Sequence, residues 1–329
     1  MNRVDGYIDL CQVLGIPEGN YLDTPEEFEK LYNLISANHN VKIVKYKKRI
    51  SLVFSFQYNN EIYYFKYDSS VDNYNELLAD EILNDLEIEH ISYDLARLGK
   101  IKGVISKNFK KDNVHYILGQ NILKKYFDPS LDLLYRSKKI SYRDYLHRIG
   151  NLQKYNTLED IWVALESRYK ERSDREAIVQ KVMGKIVDMF IVDALLSQND
   201  RHINNWMIME YENGDVDLQP IFDNGKFLIK SPYEVETLLM VDDDSVFLDY
   251  NILRFNKISS SDFCNKIRDY IWVIEENNIE KILLRIERRT GHTIPIEQKD
   301  NIKLRFSIQL DFLKDILGLL DVKDEEIKR

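Results

Sequence analysis

The stretch Gln198-Asn-Asp-Arg-His-Ile-Asn-Asn205 runs into Trp206-Met-Ile-Met-Glu-Tyr211, then Glu212-Asn213-Gly214, then Asp215-Val-Asp-Leu-Gln-Pro-Ile-Phe222, and closes on Asp223-Asn-Gly225. Two apolar runs flanking an Asn-Gly turn predict a hairpin, with strands over 206–211 and 215–222. Antiparallel pairing then returns Asp223 to the neighbourhood of Asn205, with Asp200 half a loop earlier. An amide oxygen and a carboxylate converging at one sheet end suit a hard cation such as Mg²⁺. Such a cation takes one or two protein groups and fills its shell with phosphate oxygens and water. A second carboxylate close by, Asp200, is placed to orient or deprotonate a hydroxyl nucleophile.

Upstream of this cluster, the helical period over 174–197 ends in Met189-Phe-Ile-Val-Asp-Ala-Leu-Leu196, apolar on nearly every side as in a helix at a domain centre. Downstream, helices are expected over about 259–276, 278–289 and 296–319. Residues 1–40 read as helical, and Thr24-Pro25-Glu26-Glu27 combines an N-cap, a proline at the first helical position and a capping-box glutamate. Three β-branched and aromatic runs follow at 41–46, 50–58 and 61–67, an antiparallel meander. Period-two alternation puts Ile62, Tyr64 and Lys66 on one face of its third strand. A helix over 73–85, with Glu76, Asp80 and Asn84 in a polar stripe, and strands at 91–96 and 101–109 complete the amino-terminal part. The expected organisation is α+β: a small antiparallel-sheet lobe with one main helix over 1–112, and a larger, mostly helical lobe over 113–329.

Composition narrows the functional classes. The chain has 329 residues, 44% hydrophobic and 31% charged, with 46 Lys and Arg against 55 Asp and Glu. A net charge of −9 sets against direct nucleic-acid binding or docking on an anionic membrane. Two cysteines, Cys11 and Cys264, supply neither a disulfide framework nor a thiolate metal site, and a reducing cytoplasmic location is expected. No apolar run has the length of a membrane span. Twelve glycines stand against 21 tyrosines and 14 phenylalanines, and none falls between Gly19 and Gly99, which excludes a Walker A loop or a dinucleotide fingerprint in the first third of the chain.

Asp200-Arg201-His202-x-x-Asn205 followed by Pro220-Ile-Phe-Asp223 resembles the catalytic and metal-binding motifs of the HipA-like serine/threonine kinases. Lys66 at the end of the third strand and Asn75-Glu76 opening the next helix are similar to that family's nucleotide lysine and helix glutamate. The resemblance implies a bilobal protein-kinase-like fold, ATP and Mg²⁺ as cofactors, a protein substrate and an antitoxin-type partner. Residue by residue, it implies Asp200 as catalytic base, Asn205 and Asp223 as Mg²⁺ ligands, Lys66 on the α- and β-phosphates with Glu76 bracing it, and His202 packing the catalytic loop beside the nucleotide. Arg201 would hold Asp200 or an adjacent carbonyl. About 40 residues precede the meander, so the chain resembles a short-form member. The turn over the phosphates is Lys47-Lys48-Arg49, and Lys48 with its neighbours is expected to replace glycine amides in holding ATP. Ser51 and Ser55 are candidate autophosphorylation sites. Glu81 rivals Glu76 as the partner of Lys66, and Asp242-Asp243-Asp244 reads as a solvated loop. A lipid or small-molecule kinase of related fold, and an inactive kinase-like binding module, remain alternative readings.

Overall fold

A computed structural model describes residues 1–19, 21, 24–47, 50–69, 73–196, 198, 201–225 and 260–327. In chain order the first elements are β1 (Arg3–Val4), β2 (Tyr7–Asp9), α1 (Leu10–Leu14), α2 (Pro25–Ser36), β3 (Val41–Lys47), β4 (Ser51–Tyr58) and β5 (Glu61–Asp68). Then come α3 (Asn73–Asp85), β6 (Tyr93–Leu98), β7 (Ile101–Lys107), β8 (Val114–Leu118), α4 (Gly119–Phe127), α5 (Leu131–Arg136) and α6 (Tyr142–Gly150). The remainder are α7 (Leu158–Arg168), α8 (Arg175–Leu195), β9 (Met207–Tyr211), β10 (Val216–Leu218), α9 (Ser260–Asn277), α10 (Ile279–Thr290) and α11 (Ile296–Ile327). Among the described residues no helix is long and apolar enough to cross a membrane.

The described residues fall into two compact units: 1–110, 223–225 and 272–306 form the first, and 111–222, 260–271 and 307–327 the second. This differs from the contiguous lobes 1–112 and 113–329 that the sequence suggests. The physical reason lies in α10, whose Ile282, Leu283 and Ile286 are buried and whose arginines pair with carboxylates of α3. Its apolar stripe and its charges both have their partners in the first unit.

A seven-stranded sheet, ordered β1-β2-β6-β7-β5-β4-β3, organises the first unit. The meander forms its β3 edge, with Phe54 opposite Phe65 and Val53 opposite Lys66. Alternation sends Leu52, Phe54, Phe56 and Phe65 to one face, where they share a core with Phe28, Leu31 and Ile35 of α2. The start of α2 follows its capping box: Glu27 N–H donates to Thr24 Oγ1, and Thr24 N–H donates to Glu27 Oε2, each at 3.2 Å. Lys66, one residue out of phase with Phe65, points to the opposite face. Residues 3–4 and 7–9, expected to be helical, are strands: β2 is buried throughout and pairs in parallel with β6, Ile8 opposite Ala96. A short, fully buried apolar run does not reveal its partner by periodicity.

The second unit carries a three-stranded antiparallel sheet, β10-β9-β8, with helices α4, α7 and α8 built on Leu123, Leu165 and Ile186, all fully buried. The expected hairpin forms, but β10 ends at Leu218, ahead of Pro220, which has no N–H to donate to a ladder. Strand β8, in a stretch expected to be mainly helical, fills the other side of β9, with Tyr116 opposite Met209.

Candidate active site

In the first unit, Lys66 leaves the sheet face away from the phenylalanine core and meets the first turn of α3. Its Nζ donates to Glu76 Oε1 at 2.8 Å and also pairs with Asp223 Oδ1. Glu76 is 1% exposed, whereas Lys66 and Asp223 keep 24% and 33% of their side chains open to solvent. The segment 223–225 is clamped onto α3 by its backbone. Asn224 N–H donates to Glu76 Oε2 at 2.9 Å, and Asn75 Nδ2 donates to the Gly225 carbonyl at 3.1 Å. From β6, the Tyr93 hydroxyl accepts the Asp223 N–H at 3.2 Å. These ties hold Asp223 at φ 59°, in the left-handed region that aspartate tolerates better than most residues.

Burial disfavours the charge on Lys66, but Glu76 and Asp223 outweigh it and hold the ammonium well above the usual lysine range. Burial raises Glu76 above the ordinary carboxylate range, with Lys66 pulling the other way. Both Glu76 oxygens accept hydrogen bonds, one from an ammonium and one from a backbone N–H, which is the pattern of an ionised carboxylate. Tyr93 is also raised, first by burial and then by Glu76, so it stays a neutral phenol. A partly exposed lysine beside a partly exposed carboxylate, braced by a buried one, suits a polyanion carrying a divalent cation.

The second unit shapes the loop before the hairpin. Arg201 is buried and bidentate on Asp193 of α8: Nε donates to Oδ2 at 2.9 Å and Nη2 to Oδ1 at 2.8 Å. Its Nη1 donates to the Phe222 carbonyl at 2.7 Å and the Asn205 carbonyl at 3.3 Å. Asn156 donates from Nδ2 to the Arg201 carbonyl at 2.9 Å, and its Oδ1 accepts from Trp206 Nε1 at 3.0 Å. Ile203 N–H donates to Gln153 Oε1 at 3.1 Å. Gly119 N–H donates to the Trp206 carbonyl at 3.0 Å, an approach so close that a Cβ on Gly119 would lie 2.2 Å from the indole. Asn205 itself is buried.

Of the residues singled out in the sequence, Lys66, Glu76 and Asp223 come together. Glu81 does not reach Lys66 and pairs with Arg285 and Arg289 instead. His202 is half-buried, and its Nδ1 accepts the Asn204 N–H at 3.2 Å, which folds it onto its own loop. Asp200, Lys48, Arg49 and Asp242-Asp243-Asp244 lie outside the described residues. Ser51, one of the candidate autophosphorylation sites, is 2% exposed and starts β4 opposite Lys47 of β3 and Asp68 of β5. Tyr93 in the first unit, and Asn156 and Asp193 in the second, hold their neighbours in place without having been flagged in the sequence. Asp193 had a signal, as the one charge in an otherwise apolar helix end. Among the described residues no three or more His, Cys, Asp and Glu side chains gather as a metal site. The Asp223 carboxylate, 33% exposed, is a hard oxygen donor of the kind a divalent cation takes.

No protein-family model matches the chain, and no curated protein matches it by sequence. Among solved structures, the proinflammatory kinase CtkA of Helicobacter pylori is similar at 18% identity, over 84% of this chain and 95% of that one, with a TM-score of 0.53. HipA in the Shewanella oneidensis MR-1 toxin–antitoxin complex with HipB and operator DNA aligns at 13% identity, over 93% of this chain and 75% of that one, with a TM-score of 0.45. Spectinomycin phosphotransferase APH(9)-Ia, in complex with ADP and spectinomycin, aligns at 11% identity over 90% of this chain and 98% of that one, with a TM-score of 0.23. The last two superpose too loosely to bear on function. The first shows that this chain shares the fold of that kinase, an α+β fold as the sequence leads one to expect.

Proposed function

We propose that this chain is a HipA-like, ATP- and Mg²⁺-dependent protein serine/threonine kinase. The observation that carries the reading is the Lys66–Glu76–Asp223 arrangement, built in one compact unit and locked by backbone hydrogen bonds to residues 223–225. In this reading Lys66 binds the α- and β-phosphates and Glu76 keeps it charged and aimed. Asp223 and Asn205 hold the cation, whose chemistry when bound is to neutralise charge on the transferring phosphoryl group. Asp200 accepts the proton of the substrate hydroxyl, while Arg201 and His202 keep its loop in shape. Lys48, with Lys47 and Arg49, stands over the phosphates in place of a glycine-rich turn. Catalysis is then mainly positioning and electrostatics.

A protein substrate, an antitoxin-type protein partner and a cytoplasmic location belong to the same proposal, and the net charge of −9 favours protein over nucleic-acid contacts. The test is transfer from γ-labelled ATP with Mg²⁺, using the purified protein alone and with cell extract, beside Asp200→Ala. Label on serine or threonine of a protein that vanishes in the variant supports the proposal. Label confined to lipid or small metabolites supports the small-molecule reading, and no transfer at all with ATP still bound supports an inactive binding module.

A further inference from the structure

Helix α10 carries two arginines one turn apart, and both are committed to α3. Arg285 donates from Nε to Glu81 Oε2 at 2.9 Å and from Nη2 to Asp85. Arg289 donates to Asp80, pairs with Glu81 Oε1 at 2.9 Å, and sends Nη2 to the Tyr93 carbonyl at 3.4 Å. The Asp80 side chain is 0% exposed and is enclosed by Arg289 on Oδ2 and by His90 Nε2, 2.8 Å from Oδ1. Arg289 therefore helps fix where this turn of α3 sits. Four residues earlier on the same helix, Glu76 holds Lys66. Tyr93, whose carbonyl takes the other arm of the guanidinium, holds the Asp223 amide through its hydroxyl. Arg289 thus touches both supports of the Lys66–Asp223 pair while touching neither member of it.

We infer that Arg289 is a positioning residue for the Lys66–Glu76–Asp223 site, acting through Asp80 on α3 and through the Tyr93 backbone on β6. The planar fork suits this task, since its N–H groups diverge in fixed directions toward two carboxylates and a carbonyl. Arg285 secures the following turn of α3 and is secondary, because neither of its partners lies beside Tyr93. Resting on the nucleotide-site reading above, the inference implies that removing Arg289 lets α3 drift from β5, freeing Lys66 from Glu76 and lowering its hold on phosphate.

The test reads Lys66 directly and needs no nucleotide. The full-length protein is acetylated with trace acetic anhydride, and each lysine is followed by peptide mass spectrometry. Wild type is compared with Arg289→Gln, Arg289→Lys, Glu76→Gln and the Arg289→Gln/Glu76→Gln double variant, with MgATP binding measured in parallel. Only the free amine reacts, so a lysine released from its carboxylate reacts faster. Lys66 should react severalfold faster in Arg289→Gln and in Glu76→Gln, and the double variant should be no faster than the quicker single one, because both act through one pair. Arg289→Lys should fall between, and it decides the matter where Arg289→Gln does not fold. Exposed Lys107 should not change and serves as the internal reference. A wild-type Lys66 rate in the Arg289 variants, or effects that multiply in the double variant, would overturn the inference even if MgATP binds. Accelerated Lys66 in a protein that binds no MgATP would uphold the positioning role and remove the nucleotide reading.

Discussion

Arg201 and Asp193 face each other through two parallel hydrogen bonds of 2.8 and 2.9 Å, with only 3% and 7% of their side chains exposed. Burial pushes the Asp193 carboxyl up and Arg201 holds it down, so each charge depends on the other. Asp193→Ala leaves a buried guanidinium without its partner, and the expected loss is about 3–5 kcal/mol in urea unfolding. Because Arg201 also holds the carbonyls of Asn205 and Phe222, activity should fall further than stability when both are measured well below the melting temperature. Equal stability of variant and wild type would refute the buried-pair account.

Gly119→Ala tests the close approach to Trp206. The new Cβ would lie 2.2 Å from the indole, and that ring is fully buried and tied by Nε1 to Asn156, so it has no room to turn. The expected cost is about 1–3 kcal/mol, seen as a lower urea midpoint at an unchanged m-value.

His90 gives the first unit a pH dependence. Burial disfavours its charge, but hydrogen bonds to Asp80 and to the Ile88 carbonyl outweigh that and raise its pKa, with the nearby Arg289 opposing them. Both ring nitrogens face acceptors, Nε2 lying 2.8 Å from Asp80 Oδ1 and Nδ1 2.7 Å from the Ile88 carbonyl, an arrangement that favours the doubly protonated ring. A folded pKa above the unfolded value of about 6.5 means that this stabilisation is full below that pH and is lost as pH rises through the folded pKa. Unfolding free energy measured at pH 6 and pH 8 should therefore fall more in wild type than in His90→Gln. A parallel fall in both would remove His90 as the cause.

How far the sequence discloses this molecule depends on the range of each signal. The capping box of Thr24 and Glu27 and the alternation of β4 and β5 are local, and the structure follows them. Lys66 and Glu76 are ten positions apart, at the end of a strand and the start of a helix, and their pairing is legible for that reason. Tyr93 is not, because its role depends on a turn 130 residues later. Strand β8 finds its neighbour β9 across a comparable gap, and five residues have too little pattern to oppose a helical setting. Arg285 and Arg289 look like an ordinary solvated stripe, since nothing in a helix's own sequence says that it will lie against the acidic turns of another.

The central claim is that Lys66, Glu76 and Asp223 form a nucleotide site, and calorimetric titration of MgATP into wild type and Lys66→Ala tests it most directly. Removing a charged hydrogen-bond donor from phosphate costs roughly 1.5–3 kcal/mol, so wild type should bind and Lys66→Ala should bind about 10–100-fold more weakly. Absence of binding to folded wild-type protein, or equal affinity in the two proteins, would contradict the account.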